Sequence, residues 1–172
     1  MIRKSLVGAL AALTFLVPAG CGSQPPAAPT HNDADVTFAR EMIPHHQGAL
    51  DMAKLAEGRT ANPELLALAK RVEQAQEPEI RTLTAWLREW GANPSADHGA
   101  HGTGSGLDSL EGERFDRKFL ELMIVHHQDA VEMARTELAE GRHQPAKDLA
   151  QRIVAGQEAE IGEMQGLLEV AG

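Results

Sequence analysis

The fold of this 172-residue chain is constrained above all by an internal repeat. Residues 38–53 reappear as residues 119–134, and the same offset of 81 positions aligns residues 76–80 with residues 157–161. Each copy therefore contains the same two motifs in the same order, separated by a turn. A duplicated unit of this kind is expected to form two similar structural elements that pack against each other.

The first copy carries the start and stop signals of two helices. We expect Asp33 or Asp35 to cap the first helix and Gly58 to end it. Asn62 followed by Pro63 is typical of a helix start, with asparagine as the cap and proline at the first helical position. The first copy is therefore predicted to be a helical hairpin.

The second copy has comparable signals. Asp108, with Glu111 three residues later, predicts a capping box for the third helix. Gly141 is placed to end that helix, and Pro145 to open the fourth. Aromatic residues make up only 3% of the chain and tyrosine is absent, which disfavours strands. The sequence thus predicts an all-α four-helix bundle made of two repeated helical hairpins. Its parts are the first repeat (34–91), a flexible connection (92–107) and the second repeat (108–172).

The N-terminal segment has the pattern of an export signal. A short basic region at residues 3–4 precedes an apolar run at residues 6–19 that is too short to span a bilayer comfortably. We therefore expect residues 1–20 to be a signal peptide, which places the mature protein outside the cytoplasmic membrane. The Pro-rich residues 21–33 are predicted to be a flexible tether.

Cys21 is the only cysteine of the chain. It ends a run of small residues that resembles a bacterial lipobox, although Pro18 stands where that motif usually has an aliphatic residue. We expect Cys21 to carry a lipid that anchors the protein to the outer face of the cell membrane. The alternative is a secreted protein in which Cys21 is a free thiol. A lone cysteine also excludes an intrachain disulfide and a four-cysteine zinc site.

The charge of the chain excludes one class of partner. The formal net charge is −9, with 16 basic and 25 acidic residues. Loss of the signal peptide would remove two basic residues and no acidic one, which gives −11 for the mature protein. Recognition of nucleic acid depends on basic patches that neutralise phosphates, so we expect no nucleic-acid partner. No feature of the sequence identifies a protein partner.

Methionine and histidine share the predicted core face of the first helix in each copy. At about 100° per residue, the methionine and histidine side chains of each copy fall within one stripe along the helix. This stripe is as wide as a core-facing surface. Met42 and His46 are four residues apart and therefore close enough to grip one ion, and the second copy repeats this pair. The more distant methionine of each copy is a weaker candidate or marks a second site. The predicted metal ligands are Met42, His45, His46, Met52, Met123, His126, His127 and Met133.

Polar residues interrupt the apolar stripe of the second helix of each copy. Gln76 and Glu79 fall within this stripe, and Gln157 and Glu160 repeat the pattern in the fourth helix. Buried amides and carboxylates need partners, and ligating histidines usually donate their second ring N–H to such a group. We expect these four residues to orient the histidines, with the two glutamates as occasional direct ligands.

The type of donor indicates the metal. Thioether and imidazole ligands suit Cu(I), and Ag(I) by analogy, whereas Cu(II) or Zn(II) would leave the methionines unexplained. Methionine is also a common core residue, so packing alone is the competing interpretation. We favour metal binding because burial of four imidazoles without a metal or a charge would be costly. His98 and His101 in the connection are interpreted as part of a solvated loop rather than a defined site.

These motifs resemble those of a bacterial family called the domain of unknown function 305 family. The resemblance rests on Met-Ile-Pro-His-His-Gln-Gly-Ala at residues 42–49, on its repeat, and on the Gln-x-x-Glu-Ile motif that follows in each copy. It covers about residues 34–171. It implies a ferritin-like four-helix bundle, extracytoplasmic binding of copper or silver, and ligands at the eight Met and His positions given above. Related actinobacterial sequences often have a Met-rich connection, whereas residues 97–102 contain histidine and no methionine, which argues against an extra copper site there.

Two other functions compete with metal binding. A ferritin-like di-metal oxidoreductase would need paired Glu-x-x-His motifs, but the chain has a single one, from Glu140 to His143. A structural or adaptor lipoprotein would use the Met/His stripe only as core. We therefore expect an extracytoplasmic protein without enzymatic activity that sequesters or transfers Cu(I). The sequence does not decide whether the protein stores or delivers the metal, how many ions it binds, or what its oligomeric state is.

Overall fold

The computed structural model describes residues 30–94 and 106–170. Within these ranges the chain forms four helices and no strand: α1 (Asp33–Ala56), α2 (Pro63–Glu89), α3 (Gly112–Glu140) and α4 (Gln144–Val170). The prediction of an all-α fold made of two helical hairpins is confirmed. The predicted signal peptide, Cys21, His98 and His101 lie outside the described residues.

The start of α1 differs from the prediction. Asn32, rather than Asp33 or Asp35, is the N-cap, and its side-chain oxygen accepts a hydrogen bond from the backbone N–H of Asp35 (3.1 Å). Asp35 accepts the N–H of Asn32 in return (2.6 Å), which completes a capping box. Asp35 was mistaken for a cap because it is the carboxylate partner in that box. At its other end α1 stops at Ala56, and Gly58 (φ 83°) lies in the turn that follows.

The start of α3 also differs from the prediction. Glu111 is the N-cap but makes no side-chain capping hydrogen bond, so the predicted box with Asp108 does not form. Tertiary hydrogen bonds hold this segment instead. The N–H of Gly112 donates to the carbonyl of Arg59 (2.7 Å), and the Arg59 guanidinium donates to the carbonyl of Asp108 (2.8 Å). The chain entering α3 is therefore fixed by the turn after α1 rather than by a local cap.

The remaining helix boundaries agree closely with the sequence. Asn62 caps α2 through its side chain, and Pro63 is the first helical residue. Gly141 follows the last residue of α3 as its C-cap. The fourth helix begins at Gln144, one residue before Pro145.

The two hairpins meet through α1 and α3, which run antiparallel. At one end of the bundle, the Asn32 side chain donates to the carbonyl of Glu140, the last residue of α3 (2.8 Å). At the other end, the first residue of α3 is bonded to the turn after α1. The helix α1 also packs on α2, and α3 packs on α4. This arrangement places the second half of each repeat's Met/His helix beside the first half of the other.

Two apolar clusters fill the interior, and along both α1 and α3 a histidine pair lies between them. Each cluster draws on all four helices. The Met52 cluster has as its buried members Ala49, Met52, Ala53, Ala56, Leu65, Leu68, Ala69, Val72, Leu107, Phe115, Phe119, Leu120, Met123 and Met164. The Met42 cluster has Phe38, Ala39, Met42, Leu83, Leu87, Ala130, Val131, Ala134, Leu149, Ala150, Ile153 and Val154.

Among the described helices, none is long and apolar enough to cross a membrane.

Candidate metal centre

Four imidazoles meet at the middle of the bundle. The rings of His45 and His126 touch across the interface of α1 and α3, with centroids 3.7 Å apart. His46 and His127, the next residue in each copy, are completely buried. The two copies of the repeat thus bring their histidine pairs together at one place, because α1 and α3 cross there in opposite directions.

Each of the fully buried histidines contacts a glutamate of its own hairpin. His46 Nε2 lies 2.7 Å from Glu79 Oε2, and His127 Nε2 lies 2.7 Å from Glu160 Oε2. The sequence predicted this pairing of the two glutamates with the histidines. Their role in orienting metal ligands stays a prediction. The same distance in both copies indicates that the pairing belongs to the repeated unit and not to one local environment.

These contacts determine which ring nitrogen remains available. A carboxylate at Nε2 favours the tautomer in which Nε2 carries the proton and donates it, so that Nδ1 keeps its lone pair. The Nδ1 atoms of His46 and His127 are buried and have no hydrogen-bond partner among the described residues. A buried acceptor without a partner costs about 1–3 kcal/mol of stability. Both copies carry this cost at the same atom.

His126 is neutral at physiological pH. Burial, and then repulsion from the three neighbouring histidines, lowers its pKa from 6.5 to about 2. The backbone of His45 offsets a small part of this lowering of the pKa. Neither ring nitrogen of His126 makes a hydrogen bond to a described residue. Neutral imidazole is the form that binds a metal ion, so this histidine needs no deprotonation before it can act as a ligand.

The predicted amide partners are in place but do not bond to the histidines. Gln76 and Gln157 are buried, as their position in the apolar stripe predicted. The side-chain oxygen of each has no hydrogen-bond partner within the described part of the chain. The glutamates therefore provide the polar contact that the sequence assigned to all four residues.

The methionines divide between the two apolar clusters. Met42, Met52 and Met123 are completely buried, whereas Met133 is half-buried. Met52 and Met123, from different copies, share the Met52 cluster, and Met133 packs against the Met42 cluster. The antiparallel crossing of α1 and α3 therefore places methionines from both copies on each side of the histidines. The sequence had paired Met42 with His46 and Met123 with His127, and had left open whether the two copies share one ion.

No three side chains of His, Cys, Asp or Glu converge to hold a metal ion within residues 30–94 and 106–170. A metal ion in the centre would therefore need donors beyond this set. Thioether sulfur is the further donor that the flanking clusters offer. Sulfur together with neutral imidazole forms a soft, uncharged ligand set, which suits a monovalent d¹⁰ ion better than a hard divalent one.

Sequence reasoning missed an aromatic group at the end of the bundle where α1 begins. His31 and His143, which the sequence did not assign to any site, both contact Trp90, and His143 also contacts Trp86. The one available signal was the departure from the repeat, since Leu167 occupies the position equivalent to Trp86.

The family of the chain follows from comparison with known proteins. The family model described as Domain of unknown function (DUF305) matches residues 35–168. The chain therefore belongs to the DUF305 family. No curated protein matches the sequence.

Several solved structures of relatives share the fold. A DUF305 fragment from Deinococcus radiodurans is 31% identical, with a TM-score of 0.74, and the match covers 82% of this chain and 99% of that one. A presumed secreted DUF305 protein from Streptomyces coelicolor is 30% identical, with a TM-score of 0.74 and coverage of 81% and 94%. CopM in its Cu(I)-bound form is 33% identical, with a TM-score of 0.71 and coverage of 78% and 95%. CopM has also been solved in Cu(II)-bound, Ag-bound and apo forms.

Proposed function

We propose that this protein binds copper outside the cytoplasmic membrane and sequesters or transfers it as Cu(I), held in the core of the bundle. One observation carries the proposal: the Nδ1 atoms of His46 and His127 are buried without hydrogen-bond partners among the described residues, while Glu79 and Glu160 occupy the opposite nitrogen of each ring. A carboxylate–histidine pair with a vacant second nitrogen is the usual arrangement of a metal-binding imidazole.

The proposed ligands are the four histidines of the centre and the methionines that flank them. Met42 and Met123 are the first candidates, because each lies one helical turn from a fully buried histidine. Met52 and Met133 would complete the set or hold a second ion. Glu79 and Glu160 would fix the histidine rings from behind, and Gln76 and Gln157 would line the same space.

The donor chemistry and the relatives support the choice of Cu(I). Thioether sulfur prefers monovalent copper and silver to Cu(II) or Zn(II). CopM, with a similar fold, has been solved with Cu(I), Cu(II) and Ag bound. Since Ag(I) has the same ligand preference, we expect it to occupy the same centre.

We also propose that the protein is a binding protein without enzymatic activity, anchored at Cys21 to the outer face of the membrane. The position of the single Glu-x-x-His sequence supports the lack of enzymatic activity, because Glu140 ends α3 and its backbone carbonyl accepts a hydrogen bond from Asn32. His143 belongs to the turn that follows and contacts tryptophan rings. Glu140 and His143 therefore lie at the end of the bundle, whereas the histidine centre lies at its middle.

Competition for Cu(I) tests the proposal. A form that begins after Cys21, and so keeps the cap residue Asn32, is titrated anaerobically against a chromogenic Cu(I) chelator, and we expect it to remove copper from the chelator. The variant His46→Ala/His127→Ala should lose this ability. Should that variant fold poorly, Met42→Leu/Met123→Leu preserves side-chain volume and should also bind Cu(I) more weakly. Undiminished Cu(I) affinity in a folded form of both variants would overturn the core site.

A further inference from the structure

The end of the bundle where α1 begins carries a group of four rings that the proposed function does not use. We define the Trp–His cluster as His31, Trp86, Trp90 and His143. They come from the residue before the cap of α1, from the end of α2, and from the turn between α3 and α4. We propose that this cluster is a second binding site for a soft monovalent cation, Cu(I) or Ag(I), separate from the centre of the bundle.

The two imidazole rings lie next to the two indole rings. His31 stacks on Trp90, with centroids 4.7 Å apart and planes inclined by 14°. His143 stands edge-on to both indoles, with centroids 5.2 Å from Trp86 and 5.1 Å from Trp90. The two indoles are nearly parallel, 6.1 Å apart. Two imidazoles therefore flank a pair of electron-rich faces, and indole faces attract cations more strongly than any other side-chain ring.

Both imidazoles present a nitrogen without a partner. The Nδ1 atoms of His31 and His143 are buried and form no hydrogen bond with the described residues. Each is desolvated among apolar rings, where an unpaired acceptor is costly. In the tautomer that keeps the lone pair on Nδ1, each imidazole can donate that pair to a bound metal ion. His46 and His127 at the centre of the bundle likewise have a buried Nδ1 without a hydrogen-bond partner among the described residues.

A negative charge lies behind the cluster. The Asp35 carboxylate is completely buried and accepts the backbone N–H of His143 (2.9 Å) and of Asn32 (2.6 Å), the residue that follows His31. Burial alone would raise the pKa of Asp35, but hydrogen bonds from the backbone of His143, Asn32 and Arg142 lower it below its usual value. An ionised carboxylate behind the two imidazoles balances the charge of one monovalent cation.

The repeat provides an internal comparison. At the offset of 81 positions, Trp86 corresponds to Leu167, and the positions equivalent to His31 and His143 are Gly112 and Asn62. The opposite end of the same architecture is thus built without these rings. Closing the end of such a bundle does not require two histidines and two tryptophans, which favours a binding role over a purely structural one.

Intrinsic fluorescence gives a direct test, because the chain has two tryptophans and no tyrosine and both tryptophans belong to the cluster. Ag(I), which is not redox-active here, is titrated into the protein in buffer free of chloride and thiols. We expect tryptophan emission to change and to saturate as the cluster fills. In His31→Gln/His143→Gln, that change should disappear, and the protein should bind one fewer equivalent of Ag(I).

A core variant separates this proposal from the function proposed above. Met42→Leu/Met123→Leu should weaken binding at the centre and retain the emission change. If instead this core variant abolishes the emission change while His31→Gln/His143→Gln leaves it intact, the tryptophans report the centre from a distance and the cluster is not a site. An unaltered number of bound Ag(I) ions in the folded cluster variant would mean aromatic packing only, and would also overturn the proposal.

A milder substitution keeps the test informative if the double variant is unstable. Trp90→Phe retains a ring on which His31 can stack, but phenyl attracts cations less strongly than indole. Ag(I) affinity at the cluster, followed through the emission of Trp86, should fall by roughly tenfold. Unchanged affinity in this variant would contradict a cation site built on the indole faces.

Discussion

Glu137 should make the protein more stable in mild acid than near neutrality. Its side chain is 1% exposed, and burial, together with the proximity and charge of Asp35, raises its pKa from 4.5 to about 8. The native state therefore keeps a proton that the unfolded chain loses above about pH 4.5. For a carboxyl group whose native pKa is raised, the free energy of unfolding falls as the pH rises between the two pKa values.

The size of this effect follows from the two pKa values. At about 1.36 kcal/mol per pH unit, Glu137 lowers the free energy of unfolding by up to about 4 kcal/mol at pH 7.5, but by only about 1 kcal/mol at pH 5. Glu137→Gln keeps the size of the side chain and stays neutral at every pH. The variant should thus be more stable than the parent by up to about 4 kcal/mol at pH 7.5, and the advantage should shrink towards pH 5.

Urea denaturation followed by circular dichroism, in the presence of a metal chelator, measures this difference. The parent and Glu137→Gln are compared at pH 5 and at pH 7.5, so that all other titrating groups cancel. Glu140→Gln is the matched control, because it makes the same exchange of glutamate for glutamine at an exposed position three residues away. A stability difference between the parent and Glu137→Gln that is the same at both pH values would mean that Glu137 does not keep a proton in the native state.

Two further variants test contacts at the centre and at the end of the bundle. Glu79→Gln/Glu160→Gln should weaken Cu(I) binding by roughly 10- to 100-fold, because outer partners orient metal-binding imidazoles; chelator competition measures this, and unchanged affinity would show that the glutamates do not orient ligands. Gly141→Ala should destabilise the protein, because a Cβ there would overlap the Glu137 carboxyl group; thermal denaturation should show a lower Tm, and a smaller loss if Glu137→Ala is introduced first.

The repeat made the helices and the histidine–glutamate pairs predictable. Periodicity placed Glu79 and Glu160 inside an apolar stripe, and a buried carboxylate needs a partner, so a histidine of the facing helix was the natural choice. Within a hairpin, two helices joined by a short turn must pack against each other, and the matching residues follow from the pattern alone. The observed distance of 2.7 Å in both copies agrees with that reasoning.

Contacts between the hairpins were not predictable in the same way. The sequence does not specify how two similar hairpins cross, so the sharing of one cluster by Met52 and Met123 could not be derived from either copy. The Trp–His cluster has the same origin, because it unites residues from three separate elements. The cap at Asn32 was missed for a local reason: Asp33 and Asp35 are equally good capping residues, and only the position of the first helical turn decides among them.

X-ray absorption spectroscopy of the copper-loaded protein identifies the atoms that bind copper in the core of the bundle. The sample is prepared anaerobically with Cu(I) and compared with Met42→Leu/Met123→Leu. We expect a Cu(I) edge with both sulfur and imidazole nitrogen scatterers in the parent, and a loss of sulfur scattering in the variant. Because Cys21 is the only cysteine, a form that begins after it leaves methionine as the only source of sulfur. A first shell of nitrogen and oxygen alone in that form would contradict a copper site built from methionine and histidine.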